Sequence, residues 1–378
     1  MEAGRSFSPS VLEGFAARVF QAMRADHDVA AEVARHLVRA NLSGHDSHGV
    51  IRVPKYVAQA DRGELVPAAR PTLAHETEGT GLIDGHRGFG HFATAFALEW
   101  ALDRARNHGL AAAAIRHCTH IGRVGEYTEH AAEQGFICIL TVGAAGSGIG
   151  GVALYGSRRR FFGANPWSIA VPAQGRPPVV FDGSTSMIAQ GKVWVAQDKG
   201  AELPRGCIVD QQGKPSTHPA DFFAGGALVP LGGEVAGHKG FGLCLLSALL
   251  GALSMIDDPT PTFIGAPMLS DAEMQSAIAG VFLVVVNPSC FGDAGHYQEM
   301  VSQTVAAAKR IPPAPGFEEI LMPGELEVRA RERRARDGIL LPEATWQDLI
   351  RVGGRFRVPL PEPMAGPAIS KRASAEQA

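Results

Sequence analysis

The stretch His45-Asp46-Ser47-His48-Gly49-Val50-Ile51-Arg52 sets a proton-transfer group and a fixed cation four residues apart. A guanidinium offers a planar fork of donors that matches a carboxylate through two parallel hydrogen bonds, and an imidazole gives or takes a proton near neutral pH. His48 therefore suits general acid/base work and Arg52 suits the grip on a small acid. The same residues would also make an ordinary solvated helix start, and the rest of the chain has to decide. If a helix runs from Gly49 to about Asp61, His48 sits at its start and Arg52 lies one turn on, over the same face. Pro54 then falls in the first turn, where a missing N–H is tolerated.

The elements that must hold this pair are legible nearby. Ser8-Pro9 reads as a helix cap and first position, followed by Val11, Leu12, Phe15, Val19 and Met23 at helical spacing. Val29, Val33, Leu37 and Leu42 continue the pattern, so the first 65 residues read as a small helical unit. After Pro67 strands and helices alternate. Gly81-Leu82-Ile83-Asp84-Gly85 is strand-like, and Phe92 to Asn107 is an amphipathic helix. Ala111 to Ile115, Phe136 to Val142, Trp167 to Val171, Pro178 to Phe181 and Val281 to Val286 are apolar runs suited to a sheet buried on both faces. A buried helix is expected over Phe241 to Met255, a shorter helix over Asp271 to Ala279, and an arginine- and glutamate-rich surface helix over Leu326 to Asp337.

Several further groups carry chemical meaning. Gly143 to Gly151 formally contains G-x-G-x-x-G, but no helix opens after it and no acid follows at the spacing a Rossmann turn requires. It reads as a flexible or ligand-facing loop. Gly237-His238-Lys239-Gly240-Phe241-Gly242 precedes the expected buried helix, where free N–H groups and the helix dipole favour an anion and Lys239 adds charge. The alternative is a tight glycine entry to a packed helix. His120-Ile121-Gly122-Arg123-Val124-Gly125 has glycines suited to close backbone approach, and His117, His120 and His130 lack a metal-site spacing. Asp182 stands at a strand end, where it could orient a catalytic histidine or, with Ser184, cap the next helix. Asn165-Pro166 is a turn signal.

Composition narrows the class of partner. Thirty-five basic against 38 acidic residues give a formal charge of -3, so no global field favours nucleic acid or an anionic membrane. The five scattered cysteines include no C-x-x-C pair, which points to reduced thiols in a cytoplasm. Met1 to Ser10 lacks the basic and apolar segments of a signal peptide, and Phe241 to Ile256 is too short to span a bilayer.

The order of these motifs is more specific than any one of them. Asp46-Ser47-His48-Gly49-x-x-Arg52-x-Pro54-x-Tyr56, His120-x-Gly122-x-x-Gly125-x-Tyr127, Gly163-x-Asn165-Pro166, Asp182, Gly191-Lys192, Gly237-His238-Lys239-Gly240-x-Gly242 and Pro323-Gly324-Glu325 follow one another. From about residue 10 to about residue 350 the chain resembles the malate/L-lactate dehydrogenase family of the non-Rossmann type. That group includes sulfolactate, ureidoglycolate and diketogulonate dehydrogenases and reductases of piperideine- and pyrroline-2-carboxylate.

The resemblance implies an α/β fold: a non-Rossmann mixed sheet that binds NAD or NADP, and a helical domain built from both chain ends. It implies residues 1–75 as the helical part, 76–300 as the cofactor domain and 301–358 as a segment packed with the first part; the proline-, alanine- and serine-containing tail over 359–378, longer than in the family, has little to bury and reads as disordered. It implies a homodimer acting on a small carboxylate with a nicotinamide cofactor. By analogy His48 is the proton donor or acceptor, Asp182 a catalytic partner, and Arg52 the carboxylate clamp, with Ser47 beside it in substrate binding. His120, Gly122, Gly125, Pro178, Val179, Val180, Phe181, Asp182, Gly183, Ser184, His238, Lys239, Gly324 and Glu325 match cofactor-contacting segments. Gly183-Ser184 departs from the Met-Ala or Met-Ser common there. The expected reaction moves a hydride to or from C2 of a 2-oxo or 2-hydroxy acid, or reduces a cyclic imino acid on the same site. Two rivals stay open: a metal-dependent hydrolase using His45, Asp46, His117 and His120, and a non-catalytic small-molecule binder. Arg158-Arg159-Arg160 would either meet a 2′-phosphate or form a solvated turn.

Overall fold

The computed structural model describes residues 4–146, 150–258 and 278–364. The chain divides into two compact units, one built from the two chain ends, up to Ala68 and from Glu325, and the other comprising Ala69–Gly324.

In the end-built unit, Ser8 accepts the Val11 N–H and Pro9 pre-sets the first turn of the helix Pro9–Ala22. Its Leu12, Phe15, Val19 and Phe20 stripe is buried and packs on the helix His27–Leu42 through Val29, Val33 and Leu37. Met23 falls at the C-cap. The strand Arg5–Phe7 pairs antiparallel with Ile339–Leu341, Arg5 opposite Leu341 and Phe7 opposite Ile339. The helix Glu343–Phe356 buries Trp346, Leu349 and Val352, and the Trp346 ring lies 4.9 Å from that of Phe7. The arginine- and glutamate-rich helix runs Glu325–Asp337.

The second unit is organised on a twelve-stranded mixed sheet, counted among the described residues. Ile278–Val286 is its centre, antiparallel to both Leu110–Arg116 and Ile137–Ala145. Leu110–Arg116 pairs in parallel with Thr80–Asp84, while Trp167–Val171 joins Ile137–Ala145 to Val179–Gly183. These are the apolar runs the sequence marks as strands. The helix Gly90–His108 covers the sheet, with Ala97, Leu98, Ala101 and Leu102 meeting Ile83, Ile115, Leu140 and Leu283 in one core. The glycine-rich stretch leads into the short strand Val152–Ala153 and not into a helix, and its residues 147–149 lie outside the described set. The sheet is accordingly no Rossmann sheet.

Three expectations change. The apolar helix starts at Gly233, two turns before Phe241, and runs to Gly251 with a further turn to Met255. It is not buried all round: Gly237, Gly240, Cys244, Ser247, Ala248 and Gly251 face inward, while Leu243, Leu246 and Leu249 are exposed. By length and composition it could cross a membrane, yet its small-residue face is seated on the sheet: a Cβ on Gly143 would lie 2.1 Å from the Ser247 carbonyl. The helix expected over Asp271 to Ala279 lies outside the described residues up to 277, and Ile278 and Ala279 open the central strand. The expected tail lies outside them beyond residue 364.

Candidate active site

The His48 and Arg52 segment departs from the single helix that its spacing suggests. Asp46–His48 and Val50–Arg52 are separate 3-10 turns, Gly49 between them is extended, and the α-helix begins at Val53 and ends at Asp61. Pro54 does sit at its start. The break has a local cause. Asn41, 1% exposed, accepts the Val50 N–H at 2.9 Å and donates to Asp46 Oδ1 at 2.6 Å, which holds the chain on either side of Gly49. A Cβ at Gly49 would lie 2.2 Å from Asn41 Oδ1, so only glycine passes there.

Within this bend the functional side chains are held by their neighbours. Arg52 Nε donates to the Ser47 carbonyl at 2.6 Å, and among the described residues its two Nη groups make no hydrogen bond. Ser47 Oγ lies 3.1 Å from His48 Nδ1. His48 and Arg52 are both half-buried. Asp46, three residues before Gly49, is occupied by Arg334 at 2.6 Å and 3.0 Å, and His45 Nε2 lies 3.1 Å from Glu327. His45 and Asp46 are thus committed to the helix Glu325–Asp337 and not to a metal, and no group of three metal-ligating side chains forms among the described residues.

In the sheet unit the structure joins three of the marked segments. The segment from His120 is irregular up to Gly125, which opens the helix Gly125–Glu133. Gly125 N–H donates to Asp182 Oδ2 at 2.9 Å, so Asp182 caps this earlier helix and not the one that follows it; that helix, Gln190–Lys199, receives no side-chain cap. Val180 N–H donates to the Pro323 carbonyl at 3.2 Å, and Gly324, with φ of +92°, packs on Val180. Gly125, the strand Val179–Gly183 and Pro323-Gly324 are therefore joined within the sheet unit. Ser184 Oγ stays within its own turn, 3.2 Å from Ser186 Oγ. Glu325, like Ser47, His48 and Arg52, belongs to the end-built unit.

The glycine cradle at 237–240 does not form. Because the helix starts at Gly233, the N–H groups of Gly237 to Gly240 fall inside it, where helical carbonyls take them. Those glycines serve packing: a Cβ on Gly240 would lie 2.2 Å from the Leu231 carbonyl, and one on Gly237 would lie 3.0 Å from the Tyr155 ring. His238 sits edge-on to Tyr155, and Lys239 is exposed and makes no ion pair among the described residues. Arg160 is no free cation either. It donates to the Gly226 and Phe222 carbonyls and stacks on the Phe222 ring, which leaves Arg158 and Arg159 exposed on the turn.

Sequence reasoning missed two buried polar residues here. Asn165, 2% exposed with φ of +38°, is more than a turn: its Oδ1 accepts Ala144 N–H at 2.9 Å and its Nδ2 donates to the Cys244 carbonyl at 2.8 Å, which ties strand to helix. Arg123 is buried beside Asp182 and Glu129. A positive φ cannot be read from Asn165-Pro166, and only the pairing of basic and acidic types hinted at Arg123. Burial pushes the Cys118 and Cys138 thiols up to about 12, so neither supplies a thiolate nucleophile at neutral pH.

The donor set suits a nicotinamide dinucleotide in kind. Asp182 Oδ1 accepts no hydrogen bond among the described residues, and Lys192 and Lys239 are exposed cations without ion pairs, suited to phosphates.

The chain is similar to known proteins over most of its length. The family model described as malate/L-lactate dehydrogenase matches residues 7–350. Hydroxycarboxylate dehydrogenase B of Escherichia coli (strain K12) is 33% identical over 368 residues, covering 95% of this chain and 96% of its own. A Δ1-pyrroline-2-carboxylate/Δ1-piperideine-2-carboxylate reductase of Pseudomonas putida is 31% identical over 343 residues, 89% of this chain and 94% of its own. Among solved structures, malate dehydrogenase from Entamoeba histolytica aligns with a TM-score of 0.85 at 26% identity, over 95% of this chain and 100% of the other.

Proposed function

The chain belongs to the malate/L-lactate dehydrogenase family and is an oxidoreductase of the nicotinamide-dependent kind; from that premise we propose that it interconverts a small 2-oxo acid and its 2-hydroxy acid. The observation that carries the reading is the bend at Gly49, where Ser47 meets both Arg52, whose Nη groups make no hydrogen bond among the described residues, and His48. A bound NADH or NADPH supplies the hydride that C2 receives. The chain's own part is to bind, orient and move a proton. Arg52 grips the carboxylate next to C2 through its two Nη donors, with Ser47 as a further polar contact, and so fixes which carbon is presented. His48 gives its proton to the oxygen on C2 in reduction and takes it back in oxidation. As the acid, His48 is an imidazolium whose Nδ1–H donates to Ser47 Oγ and whose Nε2–H is the proton to be given; as the base, it takes the proton back on Nε2. His120, Gly122, Gly125, Pro178 to Ser184, His238, Lys239, Gly324 and Glu325 bind the cofactor, and Asp182 is the acceptor among them.

A second substrate class has one observation in its favour, the similarity to the Pseudomonas putida reductase. A cyclic imino acid also carries its carboxylate beside the carbon to be reduced, so Arg52 holds it in the same way and His48 serves the nitrogen. The protein acts as a homodimer in a cytoplasm on this reading, and the exposed Leu243, Leu246 and Leu249 form a face suited to a second copy. The test is direct: follow oxidation of NADH and of NADPH with pyruvate, oxaloacetate, larger 2-oxo acids and the two cyclic imines. Turnover of at least one 2-oxo acid is expected. Turnover of the imines alone would transfer the assignment to the second class, and none with any of them would overturn both. Light scattering of the same sample should give the mass of two chains.

A further inference from the structure

Arg123 is a charged side chain that the proposed chemistry leaves unused. It is 2% exposed, and a guanidinium at that depth is tolerated only beside carboxylates. Two are present. Asp182 Oδ2 lies 3.2 Å from Nε, and Glu129 Oε2 accepts from Nη1 at 3.4 Å. The contact with Asp182 is an ion pair and not a hydrogen bond, because the Nε–H does not point at the oxygen. The hydrogen bond comes from Gly125 N–H at 2.9 Å, at the positive end of the helix Gly125–Glu133. A Cβ on residue 125 would stand 2.6 Å from Asp182 Oδ2 and 2.7 Å from Arg123 Nη2, so glycine alone lets the three groups meet.

Both protein contacts fall on Oδ2. Oδ1 accepts no hydrogen bond among the described residues, and the Asp182 side chain keeps 11% of its surface open. We propose that Arg123 is a positioning residue for Asp182: with the Gly125 N–H it anchors the carboxylate by Oδ2, leaving Oδ1 as a permanent acceptor for an N–H or O–H donor of the bound molecules and not as a proton carrier. The proposal rests on the reading that Asp182 belongs to the site.

The surrounding charges explain why the anchor must be a cation. The helix Gly125–Glu133 brings Glu126 and Glu129, both buried, and carries the exposed His130 and Glu133. The paired strand Trp167–Val171 offers the Ser168 hydroxyl and no charge, and Met322-Pro323-Gly324 offers none. Among the described residues, Arg123 is the buried arginine set against the acids Asp182 and Glu129. Without it, burial and like-charge repulsion both favour a protonated Asp182, which could no longer act as a plain acceptor.

The test is the pH profile of kcat/KM between about pH 5 and 9 for the wild type, R123Q, R123K and D182N. In R123Q the acid limb should move up by about one pH unit or more, with activity recovering as pH rises. R123K, which keeps the charge, should restore the wild-type limb. R123Q leaves buried acids uncompensated, so R123Q/E129Q, which removes one of them, serves if the single variant does not fold; the same upward shift is expected. A folded variant lacking the cation whose limb coincides with that of the wild type would overturn the proposal, as would an R123K profile matching R123Q. A D182N enzyme as active as the wild type would instead remove Asp182 from the site and overturn the underlying reading as well.

Discussion

Asp46 takes Arg334 through both oxygens, Nη1 to Oδ1 at 2.6 Å and Nη2 to Oδ2 at 3.0 Å. The pair joins residues 288 positions apart and braces the His48 segment with a helix from the other end of the chain. Arg334 also donates to the Asn41 carbonyl, so one guanidinium supports both the helix His27–Leu42 and the bend that follows it. D46N and R334M are expected to lower kcat/KM on the order of tenfold through loss of alignment. Because Asp46 is 45% exposed, solvent screens the pair and the stability cost should stay at about 1 kcal/mol or less. Steady-state kinetics with chemical denaturation checks this; a large stability loss with unchanged kinetics would contradict it.

Gly49 should tolerate no side chain. Alanine there must displace the Asn41 amide, which is buried and bonded to both Val50 and Asp46, and the two bonds would go together. Gly49→Ala is expected to cost about 2 kcal/mol of stability and most of the activity. A denaturation midpoint equal to that of the wild type would show that Asn41 moves aside freely.

The sequence was readable where chemistry or periodicity is local. Trp167–Val171 and Leu110–Arg116 are nearly continuous apolar runs, broken only by Ser168 and the final Arg116, and their neighbours in the sheet share that texture. His48 and Arg52 stand out by type alone. What could not be read depends on distant partners or on geometry without a compositional mark. Arg5–Phe7 is a strand only because Ile339–Leu341 lies beside it. The helix from Gly233 hides its first two turns behind glycines at 233, 237, 240 and 242, which read as a loop because glycine is a poor helix former. Packing against Leu231 and Tyr155 overrides that propensity. The break at Gly49 follows from Asn41, eight residues earlier, and no spacing rule points to it.

His48 and Arg52 should fail differently when changed. His48→Asn removes the proton donor and leaves the grip on the acid, so kcat should fall on the order of 10²-fold or more with nucleotide binding intact. Arg52→Lys keeps a charge and loses the fork, so KM for the acid should rise more than kcat falls. The lysine also cannot reproduce the planar Nε contact with the Ser47 carbonyl that aims the side chain. Equal losses of kcat in the two variants, with KM unmoved, would collapse the distinction between proton transfer and carboxylate binding.

Asp84 gives a pH dependence of stability whose sign can be worked out. It ends the strand Thr80–Asp84 and accepts from the His86 N–H at 2.9 Å and Arg116 Nε at 2.9 Å, with His117 Nδ1 at 3.1 Å. Burial works against its charge, but the His86 N–H, His117 and Arg116 outweigh that and hold the carboxyl below the usual aspartate range. The bonds also fix a turn in which His86 and Arg87 both adopt positive φ. A folded-state value below the unfolded one means that the ionised form stabilises the fold, fully so above the unfolded value and progressively less as pH falls through the folded one. D84N should therefore cost about 1–3 kcal/mol near neutral pH, and the difference from the wild type should shrink once pH drops through about 4. Melting both proteins from neutral pH down to the acid range measures it. A difference in stability that stays constant over the whole range would mean that Asp84 acts through shape and not through charge.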